Sequence, residues 1–329
     1  MNVGVLGAGS WGTALAAHLA RCGHAVTLWA RDAELARVMD ERRENPRYLP
    51  GVPLPPLEAT GDFARALAEA EMAVVVVPSE FCRGIYRALH ACAQPGAVLV
   101  SATKGLDLET HARMSELAAA EAPGRPLAVL SGPSFAAEVA RGQPTTVVVA
   151  SALLAVAEGV QHAVSGRTFR AYSSDDVVGV ELGGALKNVI AIAAGIVDGL
   201  GYGHNTVAAL VTRGLAEITR LSVARGARPD TLSGLAGLGD LVLTCTGALS
   251  RNRRLGQALG QGRPLAEALE SLGMVAEGVR TTLAACALAA ETGVEMPIAQ
   301  QMRAVLYGGR PPRAAVEELM LRSLKREVD

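Results

Sequence analysis

Short β-branched runs alternate with alanine-rich stretches through the first half of the chain. Six such runs occur, at residues 3–6, 26–29, 73–77, 98–100, 127–130 and 146–149. Uninterrupted apolar runs of this length are typical of strands that are buried on both faces of a parallel sheet. The alanine-rich stretches between them have the composition of helices. The first half therefore predicts an α/β fold with a doubly wound parallel sheet.

The hydrophobic pattern changes after residue 174. Strand-like runs nearly disappear, and long amphipathic segments rich in Ala, Leu, Glu and Arg follow at 205–225, 281–291 and 314–325. Such segments predict helices with one buried face. The Ser-Ser-Asp-Asp segment at 173–176 offers N-cap residues for the first long helix. We therefore expect an α/β domain over residues 1–174 and an all-α domain over 175–329, since 329 residues exceed what one core usually organises.

Composition excludes several classes of protein. The formal net charge is −1, and no Lys/Arg-rich run is interleaved with aromatic residues, so we expect no nucleic-acid partner. The five cysteines are odd in number and lack paired short spacings, so neither a disulfide framework nor a zinc site is predicted. The longest apolar helical stretch, 189–197, is shorter than the roughly 20 residues of a membrane span. The N-terminus lacks the basic region of a signal peptide, and we expect a cytoplasmic protein that binds small molecules.

A glycine-rich turn follows the first predicted strand. The segment Gly7-Ala8-Gly9-Ser10-Trp11-Gly12 precedes a helical run at 13–21. Glycines permit a tight turn and close backbone approach, and a helix N-terminus presents N–H groups and a positive dipole end to a pyrophosphate. The motif alone is weak, but strand, turn, helix and second strand follow in the right order. We therefore predict dinucleotide binding rather than a purely structural turn.

The end of the second predicted strand bears on the choice of dinucleotide. Arg31 and Asp32 stand side by side there. An acid at this place would bond the ribose 2′-hydroxyl of NAD, whereas an arginine would accept the extra phosphate of NADP. We favour tolerance of NADP, with use of both forms left open. The alternative is that Arg31 is only a solvated surface charge.

Lysine is almost absent from this chain, which has 28 arginines but only Lys104, Lys187 and Lys325. An ammonium group can be tuned to exchange its proton, whereas a guanidinium stays protonated. Lys104 follows the run at 98–100, at the sheet edge where α/β proteins bind ligands. The alternative for Lys104 is an ordinary exposed loop lysine. Lys187 lies in an apolar, glycine-containing helical segment, where burial would lower its pKa as general acid–base catalysis requires.

Two glycine-containing turns bring further polar groups. Gly132 and Ser134 follow the run at 127–130 and join it to a helical stretch, so their donors should face the same sheet edge. Asp240 ends a glycine-bounded turn, where it could hold Lys187 by a hydrogen bond. Its alternative is a helix N-cap, because Asp is favoured at that position.

A basic cluster lies at residues 250–254. Ser250, Arg251 and Asn252 combine hydroxyl, guanidinium and amide donors beside a predicted helix start. Such donors suit a phosphate or a carboxylate. We predict an anion pocket here, and the alternative is an exposed basic cluster without a ligand.

Together these segments resemble the bacterial-type NAD(P)-dependent glycerol-3-phosphate dehydrogenases, nearly from end to end. The resemblance is carried by GAGSWGTALA, NPRYLPG, VPS, TKG, LSGPSFAAEVA, DDVVGVELGGALKNVIAIAAG, GLGDLVLTC, SRNRRLG and VAEG. It implies a Rossmann-type sheet followed by an all-α domain like the C-terminal domain of 6-phosphogluconate dehydrogenase. It also implies reversible NAD(P)H-dependent reduction of dihydroxyacetone phosphate to sn-glycerol 3-phosphate for phospholipid synthesis, without a metal. Apolar helical faces in the second half favour a homodimer, although packing between the two domains would bury the same faces.

The resemblance also implies roles for individual residues. Lys187 would exchange the proton with the substrate oxygen, Lys104 would polarise that oxygen, and Asp240 would orient Lys187. The implied substrate-binding residues are Lys104, Gly132, Ser134, Lys187, Asp240, Ser250, Arg251 and Asn252. The implied cofactor-binding residues are Gly7, Gly9, Ser10, Trp11, Gly12, Arg31, Tyr48, Lys104, Ala136, Arg251, Val275 and Glu277.

Two other functions are compatible with the same motifs. A β-hydroxyacid dehydrogenase of similar layout would present a substrate carboxylate to Arg251. A non-catalytic sensor would bind NADPH without turning over any ketone. Activity on a substrate without phosphate would favour the first, and cofactor binding without turnover would favour the second.

Overall fold

A computed structural model describes residues 1–273, 276–324, 326 and 327 of the chain. Its strands are β1 Asn2–Leu6, β2 Ala25–Trp29, β3 Glu44–Asn45, β4 Leu49–Pro53, β5 Glu58–Thr60, β6 Met72–Val75, β7 Val98–Ser101, β8 Leu127–Ser131, β9 Thr145–Ala150 and β10 Phe169–Ser174. All six predicted strands are confirmed. The strands that the pattern did not predict are either very short, as in β3, or lie at a sheet edge where polar residues are tolerated, as in β5 and β10.

Eight strands form one sheet in the order β10-β9-β8-β7-β6-β1-β2-β5, while β3 and β4 form a separate antiparallel ribbon. The chain runs outward from β1 in one direction and from β6 in the other. This reversal creates a switch point between β1 and β6, where open α/β sheets bind ligands. Leu6 pairs with Val75, so the carboxyl ends of the two strands are level.

The expected parallel sheet needs one correction, because β9 pairs with β8 in antiparallel fashion. The pairing of β10 with β9 is parallel, so both of these strands run against the rest of the sheet. An apolar run covered on both faces has the same composition in either direction. The hydrophobic pattern therefore could not reveal this reversal.

Helices cover both faces of the sheet, as the doubly wound prediction requires. The helices are α1 Ser10–Arg21, α2 Ala33–Arg42, α3 Ser79–Cys92, α4 Met114–Glu121, α5 Ala136–Ala140, α6 Leu154–Val164, α7 Val177–Gly199, α8 His204–Ala224, α9 Pro229–Ser233, α10 Asp240–Thr246, α11 Arg251–Gly260, α12 Leu265–Leu272, α13 Glu277–Thr292, α14 Pro297–Gly308 and α15 Pro312–Met320. Side chains alternate along β1. Val3 and Val5 belong to one core cluster with residues of α1, while Leu6 belongs to another with Tyr86 of α3.

Packing divides the chain into two compact units. Unit 1 contains Met1–Gly184 and Gly226–Asp240, and unit 2 contains Ala185–Arg225 and Leu241–Asp329. Every strand in the described residues belongs to unit 1. The three predicted helices of the second half correspond to α8, α13 and α15, although α15 ends at Met320, before the predicted end at 325.

Helix α7 is longer and more apolar than the run at 189–197 suggested. Among the described residues, it alone has the length and composition to cross a membrane. However, 94% of its most apolar window is buried inside the structure, which identifies it as a core helix. Asp176 stabilises its start, because Gly179 N donates to Asp176 Oδ1 at 2.9 Å. The N-cap predicted in the Ser-Ser-Asp-Asp segment is thereby confirmed.

Candidate active site

The glycine turn lies at the switch point of the sheet, between β1 and α1. Gly7 has a φ of +125°, a region that favours glycine, and a Cβ there would collide with the carbonyl oxygen of Val76. Gly12 packs equally closely on Gly7. A Cβ added to Gly9, by contrast, would have no atom within 4 Å, and α1 begins without a side-chain cap. The turn is therefore tight where it touches protein and open at the helix start.

Two further observations fit a dinucleotide at this helix start. The indole nitrogen of Trp11 is buried and has no hydrogen-bond partner within the described part of the chain. Ser10 Oγ donates to the carbonyl oxygen of Tyr48 at 2.6 Å. Two predicted cofactor residues are thus in contact. An N-terminal helix end with an open glycine suits a pyrophosphate.

Asn45 is a supporting residue that the motif analysis missed. Its side chain is fully buried, and its Nδ2 donates to Ala8 O at 2.9 Å and to Thr13 Oγ1 at 2.8 Å. Its Oδ1 accepts from Tyr48 N at 3.0 Å. Asn45 therefore ties the segment that carries Tyr48 to the glycine turn. The NPRYLPG segment contained this residue, but only folding could show what its amide binds.

Arg31 and Asp32 have different roles in the structure. Asp32 caps α2, since its Oδ1 accepts from Glu34 N at 3.1 Å and from Leu35 N at 3.2 Å. The guanidinium of Arg31 instead lies over the ring of Phe81, 5.2 Å from the centroid. The carboxylate of Asp32 is therefore occupied by the helix cap, whereas Arg31 is exposed after the end of β2.

Lys104 binds three polar groups in unit 1. Its Nζ donates to Gly132 O at 2.7 Å, to Asp240 Oδ2 at 2.8 Å and to Ser134 Oγ at 3.4 Å. Its side chain is 16% exposed, and that of Asp240 is 1% exposed. Lys104 is therefore not the ordinary exposed loop lysine that was the alternative. The pairing of Lys104 with Asp240 was not predicted.

A π-helical turn delivers Asp240 to this position. It spans Leu235–Gly239, and Gly239 N donates to Gly234 O at 3.0 Å. Such wide turns are rare in proteins overall, and those that occur often lie at functional sites. Asp240 is the first residue of α10, and its carboxylate accepts from Lys104. Ala136, also a predicted cofactor residue, begins α5 immediately after the loop of Gly132 and Ser134.

Lys187 lies in unit 2, near the middle of α7. It is 6% exposed, and its Nζ donates to Thr244 Oγ1 at 2.9 Å. Thr244 is a second residue that the sequence reasoning did not assign a role. Thr244 lies on α10, where its hydroxyl contacts the predicted proton donor.

The predicted anion pocket lies at the start of α11, also in unit 2. Ser250 caps this helix by accepting from Arg253 N at 3.2 Å. Asn252 is buried, with its Nδ2 donating to Asn188 Oδ1 at 2.9 Å and its Oδ1 accepting from Gly278 N at 3.0 Å. Arg251 is exposed at the first position of the helix. Among the three predicted residues, Arg251 therefore presents its side chain most openly.

Two predicted cofactor positions lie close together in sequence beyond this helix. Glu277 is the first residue of α13. Val275 lies outside the described residues. In the part of the chain that the structure covers, no group of three or more His, Cys, Asp or Glu side chains could hold a metal ion.

Comparisons with known proteins cover almost the whole chain. Models of the NAD-dependent glycerol-3-phosphate dehydrogenase N-terminus and C-terminus match residues 2–157 and 176–317. The glycerol-3-phosphate dehydrogenase [NAD(P)+] of Geobacter sulfurreducens is 54% identical over 99% of this chain and 98% of its own length. That of Desulfitobacterium hafniense is 51% identical over 100% and 93%. The crystal structure of the Coxiella burnetii glycerol-3-phosphate dehydrogenase has a TM-score of 0.94 at 42% identity, covering 98% of this chain and 99% of that one.

Proposed function

This chain belongs to the NAD-dependent glycerol-3-phosphate dehydrogenase family, and on that premise we propose that it reduces dihydroxyacetone phosphate reversibly to sn-glycerol 3-phosphate with NAD(P)H. The observation that carries the proposal is the buried ion pair of Lys104 with Asp240, beside the backbone of Gly132. A partly buried lysine in a loop at a sheet edge suits a carbonyl substrate. A bound nicotinamide supplies the hydride, and the protein supplies binding, orientation and a proton.

The N-terminal turn would hold the cofactor. The glycine loop and the first turn of α1 would bind the pyrophosphate through backbone N–H groups. Trp11 Nε1, buried without a partner in the described residues, is a donor for the same ligand. Arg31 would accept the 2′-phosphate of NADP, since Asp32 is engaged in capping α2. The other residues proposed to line the cofactor are Ser10, Tyr48, Lys104, Ala136, Arg251, Val275 and Glu277.

Lys187 would transfer the proton. In the reduction it donates a proton to the substrate oxygen, and in the oxidation it accepts one. Its burial and its contact with Thr244 support this role. Thr244 Oγ1, at 2.9 Å, would orient the ammonium group, and we propose this residue in addition to Asp240. Lys104 would stabilise the charge that develops on the substrate oxygen.

The substrate phosphate would bind at the start of α11. Arg251 is the group best suited to it, because a guanidinium makes strong paired hydrogen bonds with phosphate. Ser250 and Asn252 support this helix start through their own hydrogen bonds. Gly132 and Ser134 complete the proposed set of substrate-binding residues.

We also propose the cellular setting that the family implies. The product, sn-glycerol 3-phosphate, would serve phospholipid synthesis in the cytoplasm. The functional division would separate a cofactor domain over residues 1–174 from a catalytic domain over 175–329, and the working form would be a homodimer.

The test is an absorbance assay with purified protein, dihydroxyacetone phosphate, and NADH or NADPH in separate cuvettes. Oxidation of either cofactor supports the proposed reaction and ranks the two cofactors. Turnover restricted to β-hydroxyacid substrates without phosphate would replace the proposal with the rival dehydrogenase. NADPH binding by folded protein without any turnover would replace it with the sensor.

A further inference from the structure

Glu181 is a buried carboxylate that the proposed chemistry leaves without a role. It lies on α7 in unit 1 and is 8% exposed. Its carboxylate accepts from Ser115 N at 2.8 Å, from Ser115 Oγ at 2.5 Å and from Arg113 Nη1 at 2.8 Å. Burial raises the pKa of Glu181, although the guanidinium and the two Ser115 donors oppose that rise. A buried carboxylate with this many donors is a specific anchor, because burying a charge is costly unless it is paired.

The residues that Glu181 binds stand at the far end of the loop that carries Lys104. This loop connects β7 to α4, and Arg113 is its last residue before the helix. Leu106 and Arg113 form an isolated antiparallel bridge, so the loop closes on itself beyond Lys104. By holding Arg113 and Ser115, Glu181 therefore fixes the closed end of the loop to α7.

The same face of α7 also lies near the side chain of Lys104. Gly184 follows Glu181 by three residues, a spacing that places both on one helix face. A Cβ added to Gly184 would lie 3.8 Å from Lys104 Cγ and would collide with Ser131 Oγ. The absence of a side chain at Gly184 thus makes room for Ser131 beside the stem of Lys104. Helix α7 therefore binds the far end of the loop through Glu181 and lies near the stem of Lys104 at Gly184.

We propose that Glu181 is a positioning residue for Lys104: its buried carboxylate fixes the loop on α7 so that the ammonium group reaches Gly132 and Asp240. Without this anchor, no contact with Glu181 would hold the loop in the conformation that places Lys104 at Gly132 and Asp240. A misplacement of about 1 Å can cost about 100-fold in rate, so an anchor distant from the reacting atoms can matter for turnover. The kinetic part of this proposal rests on the proposed function.

The first test reads the position of Lys104 directly and needs no turnover. The chain has only three lysines, so acetylation by a brief pulse of acetic anhydride can be read residue by residue in peptides. The N-terminal amine of Met1, which is an exposed residue, serves as the internal reference. In Glu181→Gln, an amide NH₂ would face the donors of Arg113 and Ser115. We expect several-fold faster acetylation of Lys104 relative to Met1.

Glu116→Gln is the matched control. Glu116 also binds Arg113, at 2.8 Å, but it is 40% exposed and lies on α4 beside that arginine. This variant should leave both the acetylation ratio and kcat/KM for dihydroxyacetone phosphate at wild-type values. Glu181→Gln should lower kcat/KM by about 10- to 100-fold.

Unchanged acetylation of Lys104 in folded Glu181→Gln would overturn the proposal, as would an equal effect in Glu116→Gln. If Glu181→Gln does not fold, Ser115→Ala decides instead. That variant removes one donor and keeps the ion pair, and it should raise the acetylation ratio in the same direction by a smaller amount. An unchanged ratio there would also overturn the proposal. If the ratio rises but wild-type protein turns over no ketone, only the proposed function fails.

Discussion

Lys104 and Lys187 are held by different parts of the fold. Lys104 stands on a loop of unit 1, where the carboxylate of Asp240 and the carbonyl of Gly132 bind its ammonium group. Lys187 stands in the middle of α7, where helical backbone hydrogen bonds set its position and Thr244 accepts from it. A loop-borne cation depends on its partners and on the anchors of the loop, whereas a helix-borne cation depends little on distant anchors. The two lysines should therefore respond to different mutations.

Replacing Lys187 itself should have the largest effect. Lys187→Arg keeps the charge but replaces the ammonium by a guanidinium that stays protonated at working pH, so kcat should fall by about 10²–10⁴-fold, the usual range for general acid–base catalysis. Steady-state kinetics with NADPH and dihydroxyacetone phosphate measure this, and an unchanged affinity for NADPH shows that the fold is intact. Normal turnover in this variant would refute the proton-transfer role.

Replacing the partner of Lys104 should have the next largest effect. Asp240→Asn removes a buried charge that binds Lys104 at 2.8 Å, and kcat/KM should fall by about 100-fold, since hydrogen bonds to charged groups are the strong ones. Asp175→Asn is the control, because Asp175 pairs with Arg228 at an exposed site of the same unit. Equal kinetics for the two variants would show that Lys104 does not depend on its carboxylate.

A buried acid in unit 2 extends the comparison to stability. Glu217 accepts from Ile298 N at 2.8 Å, yet burial raises its pKa to about 7 from 4.5. Because the folded protein binds the proton of Glu217 more tightly than the unfolded chain does, Glu217 stabilises the fold fully at pH values below its unfolded pKa of 4.5. That contribution is lost as the pH rises to about 7. The free energy of unfolding should fall by about 3 kcal/mol across this window. Denaturant titrations at several pH values test this, and the fall in unfolding free energy should be smaller in Glu217→Gln than in the wild type. Equal falls in the two proteins would contradict it.

Arg251→Ala tests whether the start of α11 in unit 2 binds the substrate phosphate. Loss of the exposed guanidinium at the start of α11 should raise KM for dihydroxyacetone phosphate by about 30-fold, with a smaller change in kcat. Arg254→Ala is the matched control, because Arg254 is exposed on the same helix. Unchanged saturation behaviour in Arg251→Ala would count against an anion pocket here.

The smallest effect is expected for cofactor choice in unit 1. Arg31→Ala should reduce the preference for NADPH over NADH by about 10-fold, because one charged contact to the 2′-phosphate is lost. Arg47→Ala provides the comparison, since Arg47 lies 3.4 Å from Asp32 and not over Phe81. The ratio of kcat/KM values for the two cofactors measures the change. An unaltered ratio would show that Arg31 is only a solvated surface charge.

The elements of this fold were largely readable from local sequence. The six predicted strands and the glycine turn before α1 were recognisable because each depends on the residues of one short segment. The reversed direction of β9 and β10 was not recognisable, since an apolar strand has the same composition in either direction. The polar edge strands β5 and β10 were not predicted for a different reason: exposure of an edge strand weakens its hydrophobic pattern.

The candidate site divides along the same line. Sequence identified Lys104, Lys187 and Asp240 as chemically notable, because residue type and neighbouring glycines are local properties. Folding decided that Lys104 pairs with Asp240, 136 residues away, and that Lys187 meets Thr244, 57 residues away. Such pairings arise from the packing of elements that are distant in the chain, and no spacing within one segment encodes them.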